Sequence, residues 1–272
     1  MDTGIRPKKS LGQHFLRSGH HVRRIVEAAD VGPEDVVLEI GPGTGILTKE
    51  LVARARRVIA VEIDERMVSH LRRKFRDQSN LIVVHGDILN INPGRLVESN
   101  VGSQTSYKVV ANLPYYITSA IMRHLLESTP SPRVIVVTVQ KEVAQRMIAT
   151  PPRMNLLAVS VQFYGRPRIV LHIPRRAFHP PPKVDSAVVR IDVYEKPIVE
   201  VPCRELFFAI VRAGFSQKRK QLHNALASGL NIPPADARVL LEEVGIDPRR
   251  RAETLSLEEW ARLAWAYKKR TG

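Results

Sequence analysis

Asn112-Leu113-Pro114-Tyr115 suits chemistry on an amine attached to an aromatic base. The lone pair of such an amine is delocalised into the ring, so the amine is a poor nucleophile. The Asn112 Oδ1 and the Leu113 carbonyl can accept its two N–H bonds, favour sp³ geometry and localise the pair. Pro114 fixes the turn, and Tyr115 offers a π-face on which a base can stack. No general base is required, because the alkylated amine is an acidic ammonium that loses its proton readily.

A second group of residues suits an adenosine that carries no phosphate. EIGPGTG, Glu39 to Gly45, follows an apolar run and opens a helical one. Gly41, Gly43 and Gly45 allow a tight turn and close approach of a ligand to the backbone. Their G-x-G-x-G spacing departs from the G-x-G-x-x-G of dinucleotide enzymes, which disfavours a nicotinamide oxidoreductase. Glu62 closes the next apolar run, where a carboxylate can accept both hydroxyls of a ribose. Asp87 ends the third, placed to accept from an adenine amine, with Ile88 beside it as an apolar wall. Together these point to S-adenosylmethionine.

These sites need strands to carry them. From residue 20 to 140 short apolar runs alternate with helical ones: VVLEI, VIAVEI, LIVVHGD, YKVVAN and RVIVVTV are the strands. Near-continuous apolar strands separated by helices predict a doubly wound, mostly parallel α/β sheet of Rossmann-like type. NLLAVSVQFY (155 to 164) fits a strand by its β-branched residues and a helix by its spacing. PRIVLHI and DSAVVRIDV read as an antiparallel pair at the sheet edge. Beyond residue 200 four helical stretches follow, with Ser256 and Glu259 as a capping-box pair. The expected domains are 1–198, carrying the chemistry, and 199–272, a small all-α domain.

The 272 residues carry 42 Lys+Arg against 27 Asp+Glu, a net charge of +15 that favours polyanions and nucleic acid above all. The 44% apolar content is too high for a disordered chain. The single cysteine, Cys203, is expected to be a buried structural residue; it excludes an intrachain disulfide framework and fits a reducing cytoplasm. No apolar run is long enough to span a bilayer, and the nine histidines show no metal-ligand spacing. No metal and no membrane partner is expected. RPKK, with Lys8 and Lys9, and QKRKQ, with Lys218, Arg219 and Lys220 on a helix face, are the candidate phosphate contacts.

KKSLGQHFL, EIGPGTG, VIAVEID, GDIL, NLPYYIT, FHPPPKVDSAV and AGFSQKRKQLHNAL together resemble the ribosomal RNA small-subunit adenine dimethyltransferase (KsgA) family. The resemblance runs from about residue 8 to 227. It implies a Rossmann-like methyltransferase domain with a small helical domain that binds rRNA. It also implies transfer of two methyls from S-adenosylmethionine to each of two adjacent adenosines near the 3′ end of 16S rRNA. The implied substrate is 16S rRNA within the 30S subunit or its precursor, modified during ribosome biogenesis, and the enzyme is expected to be monomeric. It implies cofactor contacts at His14, Leu16, Gly41, Glu62, Asp87 and Asn112, and a target adenine between Tyr115 and Phe178. Position 14 is His where Asn is common in the family, and PPRMNLL replaces a Gly/Arg-containing segment. The macrolide-resistance methyltransferases of the large subunit share the NxPY residues, whereas PPPKVDSAV and the helical tail look more like the small-subunit enzymes. A non-catalytic assembly factor on the same fold is the alternative of a different class, and the intact motifs argue against it.

Overall fold

The computed structural model describes residues 7, 8, 11–103 and 105–271. The chain divides into two compact units. Arg166–Glu195 joins the residues up to Gln145, and Arg146–Gly165 joins those from Lys196 onward.

The strands are β1 (Phe15–Leu16), β2 (Val36–Ile40), β3 (Arg57–Glu62), β4 (Leu81–His85), β5 (Tyr107–Asn112), β6 (Val134–Gln140), β7 (Gly165–Ile173), β8 (Phe178–His179) and β9 (Ser186–Val193). The helices between them are α1 (Gly19–Ala28), α2 (Ile46–Val52), α3 (Glu65–Lys74), α4 (Pro93–Val101), α5 (Thr118–Leu126) and α6 (Lys141–Met147). The large sheet runs β4-β3-β2-β5-β6-β9-β7. Its pairings from β4 to β6 are parallel, and β9 returns antiparallel to β6. β2 is buried along its whole length because helices cover both faces of a parallel sheet. β7, the edge strand, is instead buried only at its two ends and partly or fully exposed between them.

The strand order reverses at β2: the chain builds outward to β3 and β4 on one side and then crosses to β5 and β6 on the other, all parallel. There an open α/β sheet leaves a crevice at its carboxyl ends. Ile40 pairs with Val61 on one side and Ala111 on the other, so Glu62 and Asn112 each project one residue further, flanking Gly41. Val22, Ile25 and Val26 of α1 and Leu47 and Leu51 of α2 pack on Val37, Val58, Val110 and Val136 of the strands. The expected α/β sheet is therefore present.

The second unit is helical: α7 (Leu156–Tyr164), α8 (Arg204–Phe215), α9 (Leu222–Leu230), α10 (Pro234–Glu243) and α11 (Leu257–Thr271). The ambiguous NLLAVSVQFY is helix α7. Asn155 caps it by accepting from the Ala158 N–H at 3.1 Å, and burial on nearly every side suits an apolar helix. Phe163 stacks on Phe207 of α8 with centroids 4.9 Å apart. This corrects the expected domain division. Residues 146–165 belong with the helices, and the later crossing falls at Glu195–Lys196. The Ser256–Glu259 box forms as expected: the Ser256 N–H donates to Glu259 Oε2 at 2.9 Å and the Glu259 N–H to Ser256 Oγ at 3.3 Å. Cys203 precedes α8 and is exposed, not buried, because it stands outside the first helical turn that packs. Among the described residues no helix is long and apolar enough to cross a membrane.

Candidate active site

The glycine turn is built around two aromatic rings. Gly43 and Gly45 sit at φ +54° and +73°, where side chains are strained. A side-chain carbon would also fall 2.9 Å from the Phe15 ring at Gly43 and 2.6 Å from the Phe75 ring at Gly45. The turn closes against β3: the Gly43 N–H donates to Glu62 Oε2 at 3.0 Å, and the Asp64 N–H to Glu62 Oε1 at 2.9 Å. Burial pushes the Glu62 carboxyl above its ordinary value despite these bonds. At the end of β4, Asp87 caps a short turn, accepting from the Leu89 N–H at 3.0 Å.

Asn112 ends β5. Its Nδ2 donates to the His14 carbonyl at 3.1 Å, which orients the amide and leaves Oδ1 to accept. The Leu113 N–H donates to the Thr138 carbonyl at 3.2 Å, tethering the residue that carries the neighbouring acceptor to the adjacent strand. The Tyr115 hydroxyl meets Ser186 Oγ at 2.6 Å, and its ring stacks on His14 at 5.8 Å between centroids. His14 Nδ1 lies 2.7 Å from the Pro180 carbonyl, so that nitrogen donates to it. One residue thus ties the N-terminal segment to both NLPY and FHPPP.

These groups line one pocket of about 240 Å³ at the carboxyl ends of the strands. His14, Gly41, Gly43, Glu62, Asp87 and Ile88 border it, and so do all four residues of NLPY. Two expected site residues do not. Leu16 and Phe178 pair across β1 and β8 and are 5% and 3% exposed within the hydrophobic core. Phe178 thus sits in the core outside the pocket lining, where its strand pairing with Leu16 anchors the N-terminal segment. Lys218, Arg219 and Lys220 are exposed on the turn before α9, not on a helix face. Lys8 is salt-bridged to Asp64 at 3.3 Å, and Lys9 lies outside the described residues.

The ribosomal RNA adenine dimethylase family model matches residues 4–269. The "Ribosomal RNA small subunit methyltransferase A" of Dehalococcoides mccartyi (strain 195) is 48% identical over 263 residues, covering 97% of this chain and 89% of that protein. The protein of the same name from Moorella thermoacetica is 45% identical, covering 97% and 93%. The chain belongs to the ribosomal RNA adenine dimethylase family. It is accordingly an enzyme, a methyltransferase that acts on adenine in ribosomal RNA. Two solved structures share the fold of this dimethylase over nearly its whole length. A dimethyladenosine transferase from Plasmodium falciparum aligns with TM-score 0.79 at 28% identity, covering 95% of this chain and 98% of that one. The 23S rRNA methyltransferase ErmE aligns with TM-score 0.71 at 31% identity, covering 93% and 99%.

Sequence reasoning missed the residue that ties the dimethylase's N-terminal segment over the pocket. Asp64 accepts from Arg66 at 2.7 Å and from Gln13 and Lys8 at 3.3 Å each. The Arg66 bond, with the others, holds its carboxyl far below the usual range. VIAVEID contained the signal, since Asp64 precedes a helical run and caps α3. Its partners Lys8 and Gln13 lie more than 50 residues away and left no local mark.

Proposed function

We propose that this dimethylase transfers two methyl groups from S-adenosylmethionine to the exocyclic amine of each of two adjacent adenosines near the 3′ end of 16S rRNA. It would act in the cytoplasm, as a monomer, on the 30S subunit or its precursor. The observation that carries the chemistry is the Asn112 amide, turned by the His14 carbonyl so that Oδ1 faces its task beside the Leu113 carbonyl. The small-subunit assignment rests on the names of relatives 42–48% identical over nearly the full chain.

The pocket residues fit the cofactor. Each Glu62 oxygen accepts one backbone N–H and retains a lone pair for a ribose hydroxyl. Asp87 accepts from the adenine amine and Ile88 packs on the ring. Among the described residues no lysine or arginine lines the pocket, which suits a ligand without phosphates. When bound, S-adenosylmethionine supplies a methyl group on a sulfonium, and its sulfur leaves with the electron pair of the broken C–S bond.

The chain's own residues prepare the acceptor. Asn112 Oδ1 and the Leu113 carbonyl hold the two amine hydrogens, and the freed lone pair forms the new N–C bond. The resulting ammonium proton passes to solvent. Catalysis comes from positioning and from acceptors set in place before the reaction. The His14-backed Tyr115 ring stacks the base, which must leave its own stack to arrive. Leu16 and Phe178 anchor the N-terminal segment from the core side. Lys8, Lys218, Arg219 and Lys220 contact phosphates.

Methyl-labelled S-adenosylmethionine, incubated with undermethylated 30S subunits, free small-subunit rRNA or 50S subunits, tests this reading. Dimethyladenosine at adjacent positions in the small-subunit samples is the expected product. Label in the 50S sample would move the substrate to the large subunit. Cofactor binding without label anywhere would make the chain an assembly factor.

A further inference from the structure

The helical unit carries an exposed indole set among cations, remote in sequence from every residue of the methyl-transfer pocket. An open groove lies between the end of α10 and α11, lined by Glu243, Val244, Arg262, Trp265, Lys268 and Lys269. Trp265 is 50% exposed, whereas the other tryptophan, Trp260, is fully buried. The Trp265 ring is not loose: Nε1 donates to the Glu200 carbonyl at 3.1 Å, fixing one edge while a face stays open to solvent. Arg262, Trp265 and Lys269 recur at helical spacing on one face of α11, with Lys268 beside them.

Charge decides what such a groove admits. Its acid, Glu243, is already held by Arg270, which donates from Nε at 3.0 Å, and this holds the carboxyl below its ordinary value. Arg262, Lys268 and Lys269 form no ion pair among the described residues, so the groove keeps their three positive charges. A preset aromatic face bordered by unpaired cations matches a nucleotide: the ring stacks a base and the cations take the flanking phosphates.

We infer that the groove around Trp265 binds an unpaired nucleotide of the substrate RNA, a second contact independent of the methyl-transfer pocket. The inference rests on the RNA-methylating reading above. Unpaired RNA is the favoured occupant, because bases in a regular helix are stacked on each other and cannot open a face to the indole.

The two tryptophans make the test direct. Acrylamide quenching of the full-length protein reads Trp265, since Trp260 is inaccessible. The probes are a transcript of the 3′ region of small-subunit rRNA and heparin, a polyanion without bases. The expected result is at least about a twofold loss of quenching with saturating transcript and none with heparin. Trp265→Ala should weaken transcript binding roughly tenfold and Trp265→Phe much less. A Lys268→Ala, Lys269→Ala variant should flatten the log–log salt dependence of binding by about 1.5.

Undiminished quenching with transcript bound overturns the inference. So does equal protection by heparin, which reduces the groove to a basic surface. Protection that rises with protein concentration alone assigns it to a second copy of the chain. If 30S subunits are methylated while Trp265 stays unprotected, only the groove is refuted. If neither binding nor methyl transfer is seen, the functional reading falls with it.

Discussion

The two ends of the seven-stranded sheet hold buried charge on opposite terms. At the amino ends Lys108, only 3% exposed, donates to Asp35 at 2.8 Å and to the Asp30 carbonyl. Asp35 also accepts from the Gly32 N–H at 2.8 Å and from Arg133. Burial pushes the Asp35 carboxyl up, but these bonds outweigh it and hold the carboxyl below its ordinary value. That network is closed. At the carboxyl ends Glu39 and Glu62 are buried with both carboxyls pushed up, and Glu39 is raised to about 8. Neither Glu39 oxygen nor the nearby Thr48 hydroxyl has a well-formed hydrogen bond. Acids at the two ends thus serve as structure where partners saturate them, as at Asp35, and as part of a site where bonding capacity is left facing the pocket, as at Glu62, while Glu39 is buried beside the site without lining it.

The largest effect expected from breaking this contrast is at Asn112. Asn112→Ala removes a transition-state acceptor, so single-turnover methyl transfer to 30S subunits should fall by about 10³-fold, with cofactor affinity changed far less. Wild-type-like turnover in that variant would remove the mechanism. At the closed end, Lys108→Met leaves Asp35 and the Asp30 carbonyl short of a partner. Chemical denaturation should show a stability loss of about 3 kcal/mol, while transfer per folded molecule stays the same. A loss of activity without loss of stability would place function at the wrong end of the sheet.

Glu39 sharpens the comparison through pH. Its folded-state affinity for protons is raised, so the folded chain binds more protons than the unfolded one between the ordinary glutamate value and about 8. Stability from this group is complete below the ordinary value and declines as pH rises toward 8. Glu39→Gln abolishes that decline, and its stability relative to wild type should improve by about 3 kcal/mol between pH 5 and 7.5. A pH-independent difference would mean the carboxyl is ionised and paired. The smallest change is Tyr115→Phe, which keeps the ring and loses the bond to Ser186. Transfer should drop only severalfold, corresponding to about 1 kcal/mol, in the same single-turnover assay.

The sheet and most of the site were legible because both are written locally. Apolar runs marked β2 to β6, and their last residues, Glu62, Asp87 and Asn112, fall at the crevice because parallel strands share a direction. What sequence concealed was set by distant partners. Phe178 reads as an aromatic poised beside prolines, yet its pairing with Leu16 turns it into the core. Asp64 reads as a cap and also clamps Lys8 and Gln13. The affiliation of α7 with the helical unit depends on Phe163 meeting Phe207, more than 40 residues later, which no local pattern encodes.

Calorimetric titration of S-adenosylmethionine into the wild type, Glu62→Gln and Lys108→Met tests most directly which end of the sheet is built for a ligand. Each variant changes one buried charged group. The account predicts at least about a tenfold loss of affinity for Glu62→Gln, in which one ribose-hydroxyl acceptor becomes a donor, and an unchanged affinity for folded Lys108→Met. Equal affinities for all three proteins, or a loss confined to Lys108→Met, would contradict it.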